Sequence, residues 1–200
     1  MSKNSYTDDF FQKKARQQKL RARSFFKLEE IDRQQNLIKK GHKYLDLGAY
    51  PGSWSEYIVK KTGGDVFLTL VDLVAVSPLK NLPASKQRII TGDVEKISAK
   101  ELLLDDKKLY DGVLSDMAPS TTGQKSADSY ASYQLVLAAF HLAESVLAEN
   151  GFFLAKYLEG SEISDLKENF REKMGSFRII RPKATRNSSR EIFLFCRKMT

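Results

Sequence analysis

The chain has 200 residues, of which 42% are hydrophobic, and this composition suits one globular domain with a sizeable core. Lys and Arg number 33 against 25 Asp and Glu, so the net charge of +8 favours an anionic partner such as nucleic acid or an acidic membrane. A single cysteine excludes an intramolecular disulfide, and the two histidines lack the nearby Cys or His that a structural zinc site requires. The sequence has no apolar signal core and no run of about 18 apolar residues, so we expect a soluble, cytoplasmic protein.

The first predicted element is a basic helical stretch over about residues 8–36. Between residues 12 and 23 the chain carries no acid and six cations, namely Lys13, Lys14, Arg16, Lys19, Arg21 and Arg23. Apolar residues, including Phe25 and Phe26, follow at helical spacing, so we expect the second half to dock on the core and the first half to be solvated. The prediction is one domain over residues 1–200 with a basic helical extension over about 1–40. A partly disordered arm is the alternative for the first cations.

Residues 44–54, with the sequence YLDLGAYPGSW, predict a buried strand that runs into a turn and then a helix. Gly48 ends the strand, and Ser53 can cap a helix over residues 53–61. Glycines let the backbone approach a ligand closely, and the free N–H groups of the helix start can receive polar groups. The pattern G-x-G-x-x-G is absent, so the segment is neither a dinucleotide fingerprint nor a P-loop. An ordinary strand-to-helix turn is the alternative.

The rest of the chain alternates between strand and helix patterns. In addition to the strand at 43–47, strands are predicted at residues 65–71, 87–91, 110–114, 151–157, 177–180 and 192–195. Helices are predicted at 98–105, with Ser98 as a cap, at 128–149 and at 163–174. This alternation predicts an α/β fold with a mostly parallel, seven-stranded sheet that is covered by helices on both faces.

Polar or turn residues fall at the carboxyl ends of five predicted strands. They are the turn at 48–54, Asp72, Asp93, Asp116 and Lys156. Ligands of open α/β sheets bind beyond these ends, so the sequence predicts a binding cleft there. Taken alone, an aspartate such as Asp93 is equally well explained as a turn or cap residue.

The acid at the end of the second strand indicates a nucleoside cofactor. A carboxylate at Asp72 can accept hydrogen bonds from both hydroxyls of a ribose. A nucleoside cofactor without a pyrophosphate needs that acid but not the glycine fingerprint, and S-adenosylmethionine fits this description. Asp93 could then bond the adenine amino group. Trp54 could pack on the methionine or ribose end, or it could be a core residue.

Five motifs make the sequence resemble the FtsJ/RrmJ-type ribose 2′-O-methyltransferases over nearly the whole chain. They are RARSFFKL at 21–28, LDLGAYPGSW at 45–54, SDMAP at 115–119, AK at 155–156 and SSRE at 188–191. The resemblance implies a Rossmann-like class I methyltransferase fold that depends on S-adenosylmethionine, and a catalytic tetrad of Lys27, Asp116, Lys156 and Glu191. It also implies cofactor contacts at Gly52, Trp54, Asp72, Asp93 and Asp116. The chain departs from the family at Ser53, where glycine is frequent, and in the segment after Asp72.

The tetrad residues have the chemistry that methyl transfer to a ribose requires. A ribose hydroxyl is a poor nucleophile until its proton is removed, and Lys156 is the candidate proton acceptor. An ordinary lysine is protonated at neutral pH, so this role needs surroundings that favour the neutral amine. We expect Asp116 to orient Lys156, and Lys27 with Glu191 to hold the ribose and the lysine in place. A lysine at a strand end with its ammonium in solvent is the alternative for Lys156.

The expected partner is RNA, through the basic half-helix and the last loop. That loop supplies Lys183, Arg186 and Arg190 as cations and Asn187, Ser188 and Ser189 as neutral donors. The resemblance implies a uridine of the peptidyl-transferase region of large-subunit (23S) rRNA, and ribose methylation of the tRNA anticodon loop is the alternative. We expect a monomer that binds neither DNA nor membrane and holds no metal. Two other classes stay open, a nicotinamide-dependent oxidoreductase and a noncatalytic RNA-binding module.

Overall fold

The computed structural model describes residues 3–103, 109–185 and 189–199. The helices are α1 (Lys3–Gln17), α2 (Phe25–Gln35), α3 (Ser53–Thr62), α4 (Ala99–Leu103), α5 (Lys125–Val146) and α6 (Ile163–Met174). The strands are β1 (Lys43–Leu47), β2 (Phe67–Asp72), β3 (Gln87–Thr91), β4 (Tyr110–Ser115), β5 (Leu147–Leu158), β6 (Arg178–Ile180) and β7 (Glu191–Arg197).

All seven strands form one sheet in the order β3-β2-β1-β4-β5-β7-β6. The strands from β3 to β5 run parallel, whereas β7 is antiparallel to both β5 and β6. This topology confirms the predicted mostly parallel α/β sheet. The strand order reverses direction at β1, with β2 on one side and β4 on the other. The loops after β1 and β4 therefore diverge and leave a crevice at the carboxyl edge of the sheet.

Each face of the sheet has its own hydrophobic core, because alternate residues of a strand point to opposite faces. On one face, Leu28 of α2 and Ile58 of α3 pack with strand residues such as Phe193. On the other face lie α4, α5 and α6, and the rings of Phe140 and Phe170 stack there with centroids 4.1 Å apart. Within the described ranges, none of the helices combines the length and the hydrophobicity that a bilayer crossing requires.

The N-terminal region differs from its prediction in two ways. The helical stretch expected over 8–36 is interrupted at residues 18–24, where Lys19 adopts a left-handed conformation with φ 53°. The first helix is also docked rather than wholly solvated, since Ala15 is buried and the ring of Phe11 lies 5.6 Å from that of Phe26. The Lys14 ammonium lies 4.4 Å from the centroid of the same Phe26 ring. Phe11 and Phe26 therefore pack against each other and against the core.

Other boundaries shift by a few residues. The helix expected at 128–149 is α5 at Lys125–Val146, and β5 follows it without a loop. The carboxylate of Asp128 accepts hydrogen bonds from Thr122 and Gly123 and so closes the preceding loop. The predicted cap at Ser98 is confirmed, because its hydroxyl accepts from Glu101 N while Glu101 accepts from Ser98 N. The end of that predicted helix lies outside the described residues.

Candidate active site

A cleft of about 450 Å³ opens at the carboxyl edge of the sheet. It is lined by residues from the loops after β1, β2, β3 and β4, and by Lys156 on β5. Four residues singled out from the sequence contribute to its wall, namely Asp72, Asp93, Asp116 and Lys156. Gly48 also lines it, whereas Gly52 and Trp54 do not. The expected cleft is therefore present, and four of the eight expected site residues line it.

The two glycines of the β1–α3 turn have different neighbours. A Cβ on Gly48 would lie 2.6 Å from the Met117 side chain and 2.8 Å from Met117 N, so glycine permits the loops after β1 and β4 to approach. A Cβ on Gly52, where φ is 100°, would lie 2.5 Å from Nη1 of Arg21. Gly52 occupies the N-cap position of α3, and the cap expected at Ser53 is wrong. The Ser53 hydroxyl donates instead to the carbonyl oxygen of Ala22 at 3.1 Å.

Trp54 belongs to the core, which is one of the two roles that the sequence left open. It is 2% exposed, and its ring lies 5.7 Å from that of Phe193. Its indole Nε1 donates to the carbonyl oxygen of Ser24 at 3.1 Å. The residue borders a small cavity of about 10 Å³, together with Asp46 and Asp116.

Asp72 and Asp93 present carboxylates at the ends of neighbouring strands. Asp72 accepts from Tyr50 N and from Val74 N, both at 2.8 Å, so each of its oxygens keeps a free acceptor position. Asp93 accepts from Glu95 N at 3.1 Å, and this bond together with Lys96 lowers its pKa. Asp93 thus stabilises a turn, as one of the two interpretations from the sequence expected, and it also lines the cleft. Both carboxylates can accept hydrogen bonds from a ligand.

Lys156 and Asp116 form an ion pair at the edge of the cleft. Nζ of Lys156 lies 2.9 Å from Asp116 Oδ1, and it also donates to the main-chain carbonyl of Asp116. The two residues follow Ala155 and Ser115, which are register partners on adjacent parallel strands, so the sheet itself sets their proximity. Their side chains are 12% and 19% exposed. The pair is therefore reachable from the cleft but shielded from most solvent.

Lys27 and Glu191 form a second ion pair close to the first. Phe193 connects the two pairs: it is the register partner of Lys156, and its ring centroid lies 5.9 Å from the Lys27 ammonium. Glu191 precedes Phe193 by two residues on β7, so both side chains face the same side of the sheet. Phe193 thus lies beside Lys27 of one pair and opposite Lys156 of the other. Phe193 was not predicted from the sequence, because its position depends on the pairing of β5 with β7.

A buried carboxylate beside the cleft, Asp46, was not among the predicted site residues. It is 1% exposed; Oδ2 accepts from the Ser55 hydroxyl at 2.6 Å, whereas Oδ1 has no hydrogen-bond partner in the described part of the chain. Burial is the main cause that raises its pKa to about 7, and the nearby Asp116 acts in the same direction. The only sequence signal is an acid within the apolar strand that leads to Gly48.

Comparison with known proteins identifies the family of this chain. The model of the family "FtsJ-like methyltransferase" matches residues 20–199. The chain belongs to this family. A protein named ribosomal RNA large subunit methyltransferase E from Sorangium cellulosum is 42% identical over 193 residues, covering 96% of this chain and 89% of that protein. A protein of the same name from Brachyspira hyodysenteriae is 36% identical, with coverage of 94% of each chain.

A solved structure from Plasmodium falciparum, described as a ribosomal RNA methyltransferase, matches with a TM-score of 0.77 and 29% identity. The match covers 90% of this chain and 98% of that one. Together with the family match, it confirms the predicted Rossmann-like class I methyltransferase fold. The oxidoreductase alternative is thereby overturned.

The cleft fits S-adenosylmethionine, which the family assignment confirms as the cofactor. A sulfonium cofactor is cationic, and the wall of the cleft carries the carboxylates of Asp72, Asp93, Glu95 and Asp116. Apolar side chains complete the wall, namely Leu73, Val94, Met117 and Leu135. The volume of about 450 Å³ lies within the usual range for sites that take a ligand of this size.

Proposed function

We propose that this FtsJ-like methyltransferase transfers a methyl group to the ribose 2′-hydroxyl of a uridine in large-subunit (23S) ribosomal RNA. The names of the two relatives support the RNA substrate. The single observation that carries the ribose chemistry is the Lys156–Asp116 pair at the edge of the cofactor cleft. A reaction on ribosomal RNA would take place in the cytoplasm.

Lys156 is the proton acceptor in this proposal. S-adenosylmethionine, when bound, supplies an electrophilic methyl group. Nζ of Lys156 takes the proton of the ribose 2′-hydroxyl, which makes the ribose oxygen a better nucleophile. The ammonium that forms is then held by Asp116, through Oδ1 at 2.9 Å and the main-chain carbonyl. These acceptors already point at Nζ, so the new positive charge is stabilised where it forms.

The remaining polar residues orient the reactants. Lys27 and Glu191 fix the ribose and the Lys156 amine, with Phe193 as a rigid support between the pairs. The free acceptor positions of Asp72 suit the hydroxyls of the cofactor ribose, and Asp93 suits the adenine amino group. The cofactor contacts expected of Gly52 and Trp54 stay predictions.

The proposed RNA contacts come from α1 and from the loop before β7. Lys13 and Arg16 are exposed on α1, and Lys183 is exposed in the loop before β7. Nη1 of Arg190 donates hydrogen bonds to the carbonyl oxygens of Lys125 and Glu159, so this residue also holds the loop in place. Arg186, Asn187 and Ser188 lie outside the described residues.

Alkaline hydrolysis of labelled RNA tests the proposal. Unmodified large ribosomal subunits and unmodified tRNA are incubated separately with the protein and methyl-labelled S-adenosylmethionine. A 2′-O-methyl group blocks cleavage of its own phosphodiester, so we expect label in an alkali-resistant dinucleotide from the large subunit. Label in tRNA alone would instead support anticodon-loop methylation. Label in a mononucleotide would indicate base methylation and contradict the ribose acceptor, and no label despite cofactor binding would favour a noncatalytic RNA-binding module.

Removal of positive charge from α1 tests the RNA contacts. The triple change Lys13→Gln, Lys14→Gln and Arg16→Gln should weaken RNA binding and reduce the slope of log K against log salt by roughly 2 to 3. Lys167→Gln, Arg171→Gln and Lys173→Gln on α6 remove the same charge and serve as the control. A salt slope that is the same in both triple variants would favour a solvated helix without RNA contacts.

A further inference from the structure

Residues 18–24, which join α1 to α2, contact two loops of the cofactor cleft through one side chain. Nη1 of Arg21 donates to the carbonyl oxygens of Pro51 at 2.9 Å and Ser77 at 2.8 Å, and Nη2 donates to that of Pro78 at 2.6 Å. Pro51 lies in the β1–α3 turn, whereas Ser77 and Pro78 lie in the loop after β2. Arg21 therefore joins two segments that are distant in the sequence.

Both of these loops form walls of the cleft, although Arg21 does not line it. Tyr50 and Pro51 contribute from the first loop, and Asp72 and Leu73 contribute from the second. We propose that Arg21 is a positioning residue for S-adenosylmethionine. Its guanidinium fixes the spacing between the two loops, and hence the spacing between the groups that hold the cofactor. This inference rests on the proposed function, because it takes the cleft as the cofactor site.

The surroundings of Arg21 hold it in this position. Its main-chain N–H donates to Glu56 Oε2 at 2.9 Å, which ties the segment to the first turns of α3. The absence of a side chain at Gly52 gives the guanidinium its space, since a Cβ there would lie 2.5 Å from Nη1. Glycine at position 52 therefore shapes the turn and also leaves room for the Arg21 guanidinium.

The same segment leads directly to the tetrad. The start of α3 holds it at two further points, because Ser53 donates to Ala22 and Trp54 donates to Ser24. Lys27 follows only three residues after Ser24. One connected set of hydrogen bonds thus positions both the cofactor loops and a residue of the tetrad.

Arginine suits this role better than lysine does. A guanidinium has five N–H donors in a planar fork, which can serve three carbonyl oxygens from two loops at once. An ammonium is a compact point charge on a flexible stem and cannot span both loops with the same geometry. Arg21→Lys should therefore restore only part of the effect of arginine.

Calorimetric titration with S-adenosylmethionine, together with KM and kcat, tests the inference on the full chain. Arg21→Ala should raise the Kd and KM for the cofactor by about tenfold or more, because the ligand must now order the loops itself. The kcat at saturating cofactor should stay within about twofold, and Arg21→Lys should be intermediate. Arg33→Ala, at a 76% exposed side chain of α2, is the control and should match the wild type.

A wild-type Kd in folded Arg21→Ala would overturn the inference, as would a loss confined to kcat. If Arg21→Ala does not fold, Arg21→Lys decides: with an unchanged Tm, a raised Kd supports the inference and a wild-type Kd overturns it. Asp72→Asn, measured in parallel, separates this inference from the proposed function. A Kd that rises for Asp72→Asn alone overturns only the role of Arg21, whereas a Kd that neither variant changes contradicts the placement of the cofactor in this cleft.

Discussion

Two buried aspartates on the α3 side of the sheet differ in how completely they are hydrogen-bonded. Asp32 on α2 is 2% exposed; Oδ1 accepts from Leu37 N and Ile38 N, both at 2.7 Å, and Oδ2 accepts from the Tyr57 hydroxyl at 2.6 Å. Asp46 on β1 is 1% exposed; its Oδ2 accepts from the Ser55 hydroxyl, whereas its Oδ1 has no hydrogen-bond partner among the described residues.

The two aspartates also differ in what their carboxylates join. Every bond of Asp32 joins elements of the fold, since it links the end of α2 to the following segment and to α3. Asp46 leaves an oxygen unpaired beside a small cavity next to the cleft, and such a group costs stability. Asp46 thus differs from Asp32 both in its unfilled hydrogen-bond capacity and in its place beside the cleft. Changes at the carboxyl edge should reduce activity, and changes around Asp32 should reduce stability.

Among changes at the carboxyl edge of the sheet, Asp116→Asn tests the contrast with Asp32 through a large expected loss of activity. Asparagine keeps the shape but cannot stabilise the Lys156 ammonium by charge, so the single-turnover rate should fall by about 100-fold or more. The free energy of unfolding should change by only about 1 kcal/mol or less. Asp111→Asn, at the other end of the same strand, is the control and should keep the wild-type rate. A rate within a few-fold of the wild type for Asp116→Asn would separate Asp116 from the chemistry.

A large effect on stability is expected for Asp32→Ala. The change leaves two main-chain N–H groups and the Tyr57 hydroxyl without their acceptor, and buried unpaired donors cost about 1–3 kcal/mol each. We expect a loss of about 3 kcal/mol or more in urea unfolding, while the folded protein still binds S-adenosylmethionine. A loss below about 1 kcal/mol would remove the contrast between the two aspartates.

A smaller effect, on pH dependence, is expected for Asp46→Asn. Burial raises the pKa of Asp46 from 3.8 to about 7, so between these values the folded protein keeps a proton that the unfolded chain releases. Stability should therefore fall as pH rises from about 4 to 7, with a slope of at most about 1.4 kcal/mol per pH unit. Asp46→Asn should remove this fall, whereas Asp65→Asn, at an exposed position, should retain it. An unchanged slope in Asp46→Asn would assign the pH dependence elsewhere.

The sequence predicts those features that depend on local patterns or on strand ends. Asp72, Asp93, Asp116 and Lys156 meet in the cleft because parallel strands bring their carboxyl ends to one edge. The interruption of the first helix was not predictable in this way, because residues 18–24 are held by bonds to positions far along the chain. The partners of Arg21 lie 30 to 57 residues away, and no local period encodes such contacts. The same holds for Phe193, whose place follows from strand pairing.

In the proposed reaction, Lys156 accepts the proton of the ribose hydroxyl. The most direct test of this step is single-turnover methyl transfer to unmodified large ribosomal subunits by Lys156→Ala, with the Kd for S-adenosylmethionine measured on the same preparation. We expect the rate to fall by roughly 1,000-fold while the Kd stays within about twofold, because the amine acts on the substrate proton. Lys173→Ala on α6, whose side chain is 50% exposed, should behave like the wild type. A near-normal rate in folded Lys156→Ala would contradict the claim.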